Sequence, residues 1–283
     1  MRFDTVNFLT DYGTADEFVA VTKSVIWSIA PSVRVVDVTH EIAPHNVRAG
    51  GLALARSAPY LNPGVVIAVV DPGVGGDRRG VAVEVGGGSS VLIGPDNGLL
   101  APTVALVGGA TAAYDITDST YRLDAPGPTF DGRDLFAPVG AHLCAGAPIA
   151  ELGDPIDPAG LMPAVMPVSG REGEHDEVIV AEVIWVDRFG NAQLNLDPDE
   201  LDGLNWSIQI ADRRRPARVV SHFDALTAGE VGLVTDSNGM VALVLNRASA
   251  ARDLSATEST EVRLHPSAAT GFDTPVTLGR GSV

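Results

Sequence analysis

The sequence predicts an N-terminal layered α/β domain with a mainly parallel sheet, followed by a smaller C-terminal antiparallel, barrel-like β domain. Three observations predict this division. In the first half, short β-branched runs alternate with segments whose apolar residues recur at helical spacing. After about Met166, the stretch VSGREGEHDE is polar and poor in large apolar side chains, as inter-domain linkers are. Beyond it, strand-like runs follow one another with few helices between them. We therefore predict an α/β domain at 1–166, a linker at 167–177 and a β domain at 178–283.

In the first domain, a strand is predicted at 6–10 and a helix at 17–29. The apolar residues of that helix recur with a helical period from Phe18 to Ile29, and the Ala30-Pro31 pair stops it. The unbroken apolar run at 65–70 is typical of a strand covered on both faces. The further predicted elements are a strand at 33–38, a helix at 49–58, a hairpin of strands 81–85 and 91–93 around a five-residue loop, and helices at 99–107 and 135–145.

In the second domain, the predicted elements are strands at 178–186, 207–210, 217–220, 231–235, 241–245 and 262–264. The run Arg213-Arg214-Arg215 before Pro216 predicts a solvated hairpin tip. The sequence contains no internal repeat.

Charge and composition exclude several classes of function. The chain carries 19 Lys and Arg residues against 36 Asp and Glu residues, a formal charge of −17. Such an acidic chain lacks the electrostatic footprint of a protein that binds nucleic acid or an anionic membrane, and it favours cationic ligands. No apolar run approaches the roughly 18 residues of a membrane span. The single cysteine, Cys144, cannot form an internal disulfide, and no signal peptide is recognisable, so we expect a cytoplasmic protein.

Two carboxylates, Asp11 and Asp71, directly follow apolar strands. Open α/β sheets bind ligands outside the carboxyl ends of their strands, which makes this pair a candidate site. The alternative is that both are turn formers, as Asp often is. The glycines after Asp71 would let the backbone approach a ligand closely, but GVGGDRRG lacks the Gly-Lys-Ser/Thr ending of a phosphate loop.

The sequence contains few residues in patterns typical of metal binding or of covalent catalysis. His40 and His45 are five residues apart with Asp37 nearby, but the spacing does not match a helical HExxH pair. No GxSxG or Cys/His signature marks a nucleophile. We therefore expect no metal and no covalent intermediate.

Seven segments carry a more specific signal. They occur in the order FLTDYGTADEFV, DVTHEIAPHNVRAG, VVDPGVGGDRRGVAV, IGPDNGLL, PTFDGRDLFAPVGAHLCAG, DRFGNAQLN and DSNGMVALVLN. Together, from about Val6 to Asn246, they resemble the S-adenosyl-L-methionine (SAM) hydrolases, also called SAM hydroxide adenosyltransferases, which are homologous to the adenosyl fluoride and chloride synthases. The resemblance implies an α/β domain, a C-terminal β domain and a homotrimer with active sites at the subunit interfaces. It also implies attack by water or hydroxide at ribose C5′, which releases adenosine and methionine from SAM, the substrate, with no cofactor.

The resemblance also implies a role for each matched residue. Asp11 would bind the ribose hydroxyls, Asp16 and Asp187 would face the methionine ammonium, and Ser237 its carboxylate. Phe189 and Asn191 would stack on and hydrogen-bond the adenine. Thr129 and Phe130 would line the reacting centre, and His45 matches a tryptophan of the fluoride synthases.

The catalytic residues implied for the hydrolase branch are an Asp, an Arg and a His. Asp71 and Arg78 match the first two, where halide synthases have a tyrosine and lack the arginine. Gly132 stands where the fluoride synthases have a halide-holding serine. The family pattern TFHGRD reads TFDGRD here, so Asp131 replaces the histidine.

Asp131 would accept a proton in place of the histidine, pair with Arg78 in a bidentate manner, or crowd Asp71 with like charge. We favour the pairing with Arg78. Hydrolysis of SAM is the leading interpretation. Adenosyl halide synthesis is an alternative, and the lost histidine leaves a non-catalytic adenosyl-binding protein as another.

Overall fold

The computed structural model describes residues 3–201, 203 and 205–267. The chain divides into two compact units between Met166 and Pro167. The predicted fold class is confirmed, since the first unit is an α/β structure and the second a β-barrel. Among the described residues, no helix is both long enough and apolar enough to cross a membrane.

The first unit is built around one mixed sheet. Between residues 3 and 166, the strands and α-helices are β1 (Thr5–Thr10), α1 (Phe18–Ile29), β2 (Arg34–Thr39), α2 (Val47–Ser57), β3 (Val65–Val69), β4 (Gly80–Val85), β5 (Ser90–Pro95), α3 (Ala101–Leu106), β6 (Ala110–Asp115), α4 (Ala137–Ala145) and β7 (Asp154–Ile156). The strand order is β2-β1-β3-β5-β4-β6-β7. The first four strands in that order are parallel, whereas β4 pairs antiparallel with β5, β6 with β4, and β7 with β6.

Helices cover β3 on both faces of the sheet. Successive side chains of a strand point to opposite faces, so Val65 and Ile67 share one face and Val70, just past the strand, takes the other. On the first face Gly140 of α4 lies against Val65 and Ile67, and on the second Gly50 of α2 lies against Val70. This explains the unbroken apolar run. Because both faces of β3 are covered, a ligand can reach this strand only at its ends, and Asp71 lies at the carboxyl end, after Val70.

Several predicted boundaries in the first unit were wrong in detail. The hairpin loop between β4 and β5 has four residues, 86–89, rather than five, because β5 already begins at Ser90. The predicted helix at 135–145 starts earlier, as a π-helical turn (Gly132–Phe136) that runs into α4. The predicted helix at 99–107 is shorter, and β6 and β7 were not predicted.

The second unit is a closed barrel. Its described elements are β8 (Gly170–Glu172), β9 (Val178–Val186), β10 (Ala192–Leu194), β11 (Asn205–Ile210), β12 (Arg213–Val219), β13 (Val231–Thr235), β14 (Val241–Leu245), α5 (Ala250–Leu254) and β15 (Glu261–Pro266). Strand β10 pairs with both β14 and β9, which closes the ring β9-β10-β14-β13-β12-β11-β15. The pairs in this ring are antiparallel except β12–β13, which is parallel.

Two interpretations of the second domain change. Strand β8 lies inside the segment predicted as a linker, where it pairs with β9. The three arginines do not form a hairpin tip but begin β12, with Arg213 opposite Ile210 of β11. The tip is formed by Ala211 and Asp212. Arg213 and Arg214 are exposed, and an exposed strand position accepts a charged side chain as readily as a loop does.

Candidate active site

A cavity of about 470 Å³ lies in the first unit, beside the carboxyl ends of β1 and β3. It brings together seven of the residues predicted to form the site: Asp11, His45, Asp71, Thr129, Phe130, Asp131 and Gly132. Parallel strands present their carboxyl ends at one edge of the sheet, which is why residues distant in sequence meet here.

Asp71 is held by Arg78, the residue that the sequence pairs with it. Its Oδ2 accepts hydrogen bonds from Arg78 Nε, at 2.9 Å, and from Arg78 Nη2. The other oxygen, Oδ1, is buried and accepts no hydrogen bond from any described residue. A buried carboxylate oxygen without a donor is costly, so a hydrogen-bond donor that reaches Oδ1 would be bound there.

Asp131 lies between two arginines. Its Oδ2 accepts a hydrogen bond from Arg78 Nη2 at 2.5 Å, and its Oδ1 accepts one from Arg122 Nη2 at 2.5 Å. The expected pairing with Arg78 exists, but it is not bidentate, because Arg122 occupies the second oxygen. The side chains of Asp71 and Asp131 are each only 5% exposed.

Arg122 was not predicted from the sequence. It lies in the segment TDSTYRLD, which carries no recognisable motif. One signal was available, because a buried aspartate in place of a histidine, beside a second aspartate, requires a further cation. Burial alone would lower the pKa of Arg78, but its hydrogen bonds and ion pairs with Asp71 and Asp131 raise it instead. The guanidinium is therefore charged.

Aromatic rings form another part of the cavity wall. Tyr12, Phe18 and Phe130 contact one another edge to face, with ring centroids 5.2–5.9 Å apart. The Arg133 guanidinium lies 4.8 Å from the Phe130 centroid. Burial, reinforced by the charges of Asp11 and Asp71, raises the pKa of Tyr12 well above its usual value. Its phenol therefore stays protonated and can donate a hydrogen bond.

Gly132 lies directly against Tyr12. A Cβ atom on Gly132 would overlap the Tyr12 hydroxyl and come within 3.0 Å of Tyr12 Cζ. Since this ring packs on Phe18 and Phe130, it has little room to move aside. Glycine is thus the residue that fits at position 132 while Tyr12 keeps this position.

Asp11 fixes the backbone at His45. Asp11 Oδ2 accepts a hydrogen bond from His45 N at 2.8 Å, and His45 has a left-handed backbone with φ +67°. A positive φ in a residue other than glycine is strained, and such strain clusters at binding sites. Asp16, by contrast, is exposed and does not line the cavity.

Both ring nitrogens of His40 lie within hydrogen-bond distance of a side chain. His40 is buried, with Nδ1 2.8 Å from Thr10 Oγ1 and Nε2 3.1 Å from Asp37 Oδ1. Among the described residues, no three His, Cys, Asp or Glu side chains are grouped so that they could hold a metal ion. His40 is therefore a satisfied core residue.

In the second unit, the DRFGN segment forms a five-residue turn between β9 and β10. Asp187 Oδ1 accepts hydrogen bonds from the backbone N–H groups of Phe189 and Asn191, both at 2.9 Å, and Oδ2 accepts one from Asn191 Nδ2 at 2.7 Å. Gly190 has φ +84°, and its carbonyl accepts a hydrogen bond from Ala251 N at the start of α5. The turn is thereby fixed to the helix, while the Phe189 side chain remains 79% exposed.

A second cavity, of about 820 Å³, begins at this turn. It is lined by Phe189 and Asn191 together with residues that the sequence did not single out, among them Phe223, Arg247, Ser249 and Arg252. Ser237 does not line it. That residue is exposed in a turn between β13 and β14, where Asp236 Oδ1 accepts from Asn238 N and Met240 N in the same way as Asp187 does in its own turn.

These contacts give Asp187 a role in addition to the one expected from the sequence. Because its carboxylate organises the turn that carries Phe189 and Asn191, we expect Asp187→Asn to weaken binding of adenosine as well as of SAM. Asparagine has only one side-chain oxygen, so its amide nitrogen would face either the two backbone N–H groups or Asn191 Nδ2. The turn would lose hydrogen bonds in either orientation. Calorimetric titration of both ligands measures this. Weakened SAM binding with unchanged adenosine binding would show instead that Asp187 acts on the methionine end alone.

Comparison with known proteins gives a consistent result for both units. The model of the SAM hydroxide adenosyltransferase N-terminal domain matches residues 6–153, and that of the C-terminal domain matches residues 181–263. An (R)-S-adenosyl-L-methionine hydrolase of Salinispora tropica is 41% identical over 92% of this chain and 97% of its own. A fluorinase of Actinopolyspora mzabensis is 30% identical over 92% and 96%. The crystal structure of an uncharacterized conserved protein from Thermotoga maritima, 31% identical, superposes with a TM-score of 0.82 over 92% of this chain and all of that one.

Proposed function

This chain belongs to the SAM hydroxide adenosyltransferase family, and we propose that it hydrolyses S-adenosyl-L-methionine to adenosine and L-methionine. One observation carries the proposal. Asp71 is buried beside the first cavity, with one oxygen fixed by Arg78 and the other, Oδ1, without a donor. A water molecule that donates to Oδ1 would satisfy that oxygen and would lie beside a bound substrate.

The reaction is a single displacement at C5′ of the ribose. The water oxygen forms a bond to C5′ while the bond from C5′ to the sulfonium sulfur breaks, and methionine leaves as a neutral thioether. Water is a poor nucleophile, so a group must accept its proton as the new bond forms. Asp71 Oδ1 is that group. The sulfonium is already a good leaving group, so the reaction needs neither a general acid nor a cofactor.

Arg78 contributes mainly by fixing Asp71. Both of its nitrogens that contact Asp71 bind Oδ2, which leaves Oδ1 to the water. The cation also stabilises negative charge at the reacting oxygen in a site with little water, where such an interaction is stronger than in bulk solvent. Alignment of water, C5′ and sulfur supplies a further part of the rate enhancement, within the roughly 7–11 kcal/mol that proximity can contribute.

The remaining site residues bind the substrate. Asp11 would bind the ribose hydroxyls, and Thr129 and Phe130 line the reacting centre beside His45. Asp16 and Asp187 would attract the methionine ammonium and Ser237 its carboxylate. Phe189, with its exposed ring, would stack on the adenine, and Asn191 would hydrogen-bond it. The net negative charge of the chain favours a substrate of charge about +1.

Halide synthesis is not favoured. By the family resemblance, Asp71 stands where halide synthases carry a tyrosine, and Gly132 where the fluoride synthases have a serine that holds the halide. A serine at position 132 would overlap Tyr12. The match to the hydrolase of Salinispora tropica is also stronger than the match to the fluorinase, 41% against 30% identity.

The test is to incubate the protein with SAM in ¹⁸O-labelled water, with and without chloride. We expect adenosine labelled at its 5′ oxygen, methionine, and no effect of chloride. A chlorinated nucleoside would identify a halide synthase. Binding of SAM without products would identify a non-catalytic adenosyl-binding protein.

We also propose that the protein is a homotrimer with active sites at its subunit interfaces, and that it works in the cytoplasm. The family resemblance supports the trimer. The single cysteine, Cys144, fits a reducing compartment.

A shared site predicts complementation between inactive variants. When Asp71→Ala and Asn191→Ala proteins are mixed under conditions of subunit exchange, some interfaces regain both intact sets of residues. We expect part of the SAM hydrolysis to return, measured as adenosine release. Proven exchange with no recovery would contradict a site shared between subunits.

A further inference from the structure

The two oxygens of Asp131 each bind a different arginine. Oδ2 binds Arg78 and Oδ1 binds Arg122, both at 2.5 Å. Asp131 is nearly buried, whereas the side chain of Arg122 is 31% exposed. Arg122 therefore reaches the buried carboxylate from the solvent side, and the proposed mechanism does not use it.

The backbone around Arg122 is held in place. Arg122 N donates to Ser119 O at 3.0 Å, and Leu123 N donates to Asp134 O of the π-helical turn at 2.8 Å. The neighbouring Tyr121 ring lies 4.5 Å from the His142 ring of α4. The guanidinium is therefore presented to Asp131 by a fixed segment.

The charges in this cluster balance only when Arg122 is included. Asp71 and Asp131 are two carboxylates, and both receive a hydrogen bond from the same nitrogen, Arg78 Nη2. Without Arg122, both anions would depend on one guanidinium in a buried site. Asp131 would then compete with Asp71 for Arg78, since an unpaired buried charge is strongly unfavourable.

We propose that Arg122 is a positioning residue for the hydrolysis: it binds Asp131 so that Arg78 stays on Asp71 and Asp71 Oδ1 remains directed to the water. This inference rests on the proposed function. Asp131, which stands where the family pattern TFHGRD has a histidine, adds a buried negative charge, and the contact with Arg122 balances it. Asp131 and Arg122 therefore act as a pair in this chain.

The first test replaces Arg122 with glutamine, which keeps much of the side-chain length and removes the charge. We expect kcat to fall about 10-fold, the effect of one charge-assisted hydrogen bond acting indirectly, with SAM affinity unchanged. Arg122→Lys should restore most of the activity. The matched control is Arg79→Gln, because Arg79 is similarly exposed, at 38%, and also binds a nearly buried aspartate, Asp96, at 2.5 Å, but Asp96 does not line the first cavity.

The pH profile separates positioning from general damage. Besides Asp71 and Asp131, the charged and titratable side chains that line the cavity are Asp11, Tyr12, His45 and Arg133, and the two arginines bound to the carboxylates are Arg78 and Arg122. Loss of a cation beside two carboxylates favours their protonation, so the acidic limb of kcat in Arg122→Gln should move to higher pH. A uniform loss of rate at every pH would contradict the proposal.

A double-mutant cycle tests the route through Asp131. In an Asp131→Asn background the carboxylate is gone, and Arg122→Gln should then have almost no further effect on kcat. Equal effects of Arg122→Gln in both backgrounds would show that Arg122 acts elsewhere and would overturn the inference.

A crystal structure of the Arg122→Gln protein tests whether Arg122 positions Asp131 and Arg78, and it does so without an activity measurement. Movement of the Asp131 carboxylate, or of Arg78 away from Asp71, supports positioning. An unchanged Asp71–Arg78–Asp131 arrangement overturns it. If the unmodified protein releases no adenosine from SAM, the proposed function fails, and this structural readout still judges the role of Arg122.

Discussion

Asp71→Asn should lower kcat for SAM hydrolysis by about 10²- to 10⁴-fold, the usual contribution of a general base. The substitution keeps the size of the side chain, but an amide cannot take the proton of the attacking water. Arg78 would still find one oxygen acceptor, so the cluster should stay assembled. Affinity for SAM should change far less than kcat, because the loss falls on the transition state. Single-turnover kinetics and calorimetric titration measure the two quantities.

The chain offers a matched control in Asp96→Asn. Asp96 is also a nearly buried aspartate that binds an arginine, since its side chain is 6% exposed and its Oδ2 lies 2.5 Å from Arg79 Nη2. It follows β5 as Asp71 follows β3, but it does not line the first cavity. A similar fall of kcat in both variants would mean that a lost buried ion pair, and not a lost base, explains the effect of Asp71→Asn.

The strands with the strongest side-chain pattern were predictable from the sequence. The run at 65–70 and the nine residues of β9 are rich in β-branched residues, and the structure places strands there. Strand β6, ATAAYD, has small side chains and is partly exposed, so little in its pattern distinguishes it from a loop. Strands β7 and β10 have three residues each and exist because neighbouring strands supply their hydrogen bonds. Pairing of that kind is a property of the fold, which no local pattern encodes.

The candidate site likewise contains some residues that motifs predict and some contacts that only the structure shows. The motifs placed Asp71, Arg78 and Asp131 in one site, and the structure brings them together. Arg122 has no motif, and its contact depends on where the segment after β6 passes over the π-helical turn. The free oxygen of Asp71 likewise depends on the side of the carboxylate from which Arg78 approaches. Both details depend on three-dimensional geometry, which the spacing of residues in the sequence does not specify.

Arg78→Ala should lower kcat by about 10²- to 10³-fold, because Asp71 loses the side chain that fixes it and the reacting oxygen loses a cation that stabilises its negative charge. It should also destabilise the fold, because its side chain is only 12% exposed and bridges two carboxylates. Removing one partner of a buried ion pair costs about 3–5 kcal/mol, and the exposed side of this cluster should reduce that figure. Adenosine release measures the first effect and urea denaturation the second.

The effects on kcat and on stability can be separated, because Asp71 and Asp131 do not lose the same number of arginine partners. Asp131 keeps Arg122, whereas Asp71 has no other arginine among its described partners. Asp71 should therefore carry most of the uncompensated charge in the Arg78→Ala protein. Adding Asp71→Asn removes that charge, so the double variant should regain stability and remain inactive. A double variant less stable than Arg78→Ala would show that the cost lies at Asp131 or in lost packing of Arg78 on Phe136, whose ring centroid lies 5.3 Å from the guanidinium. Full turnover by Arg78→Ala would remove Arg78 from the mechanism.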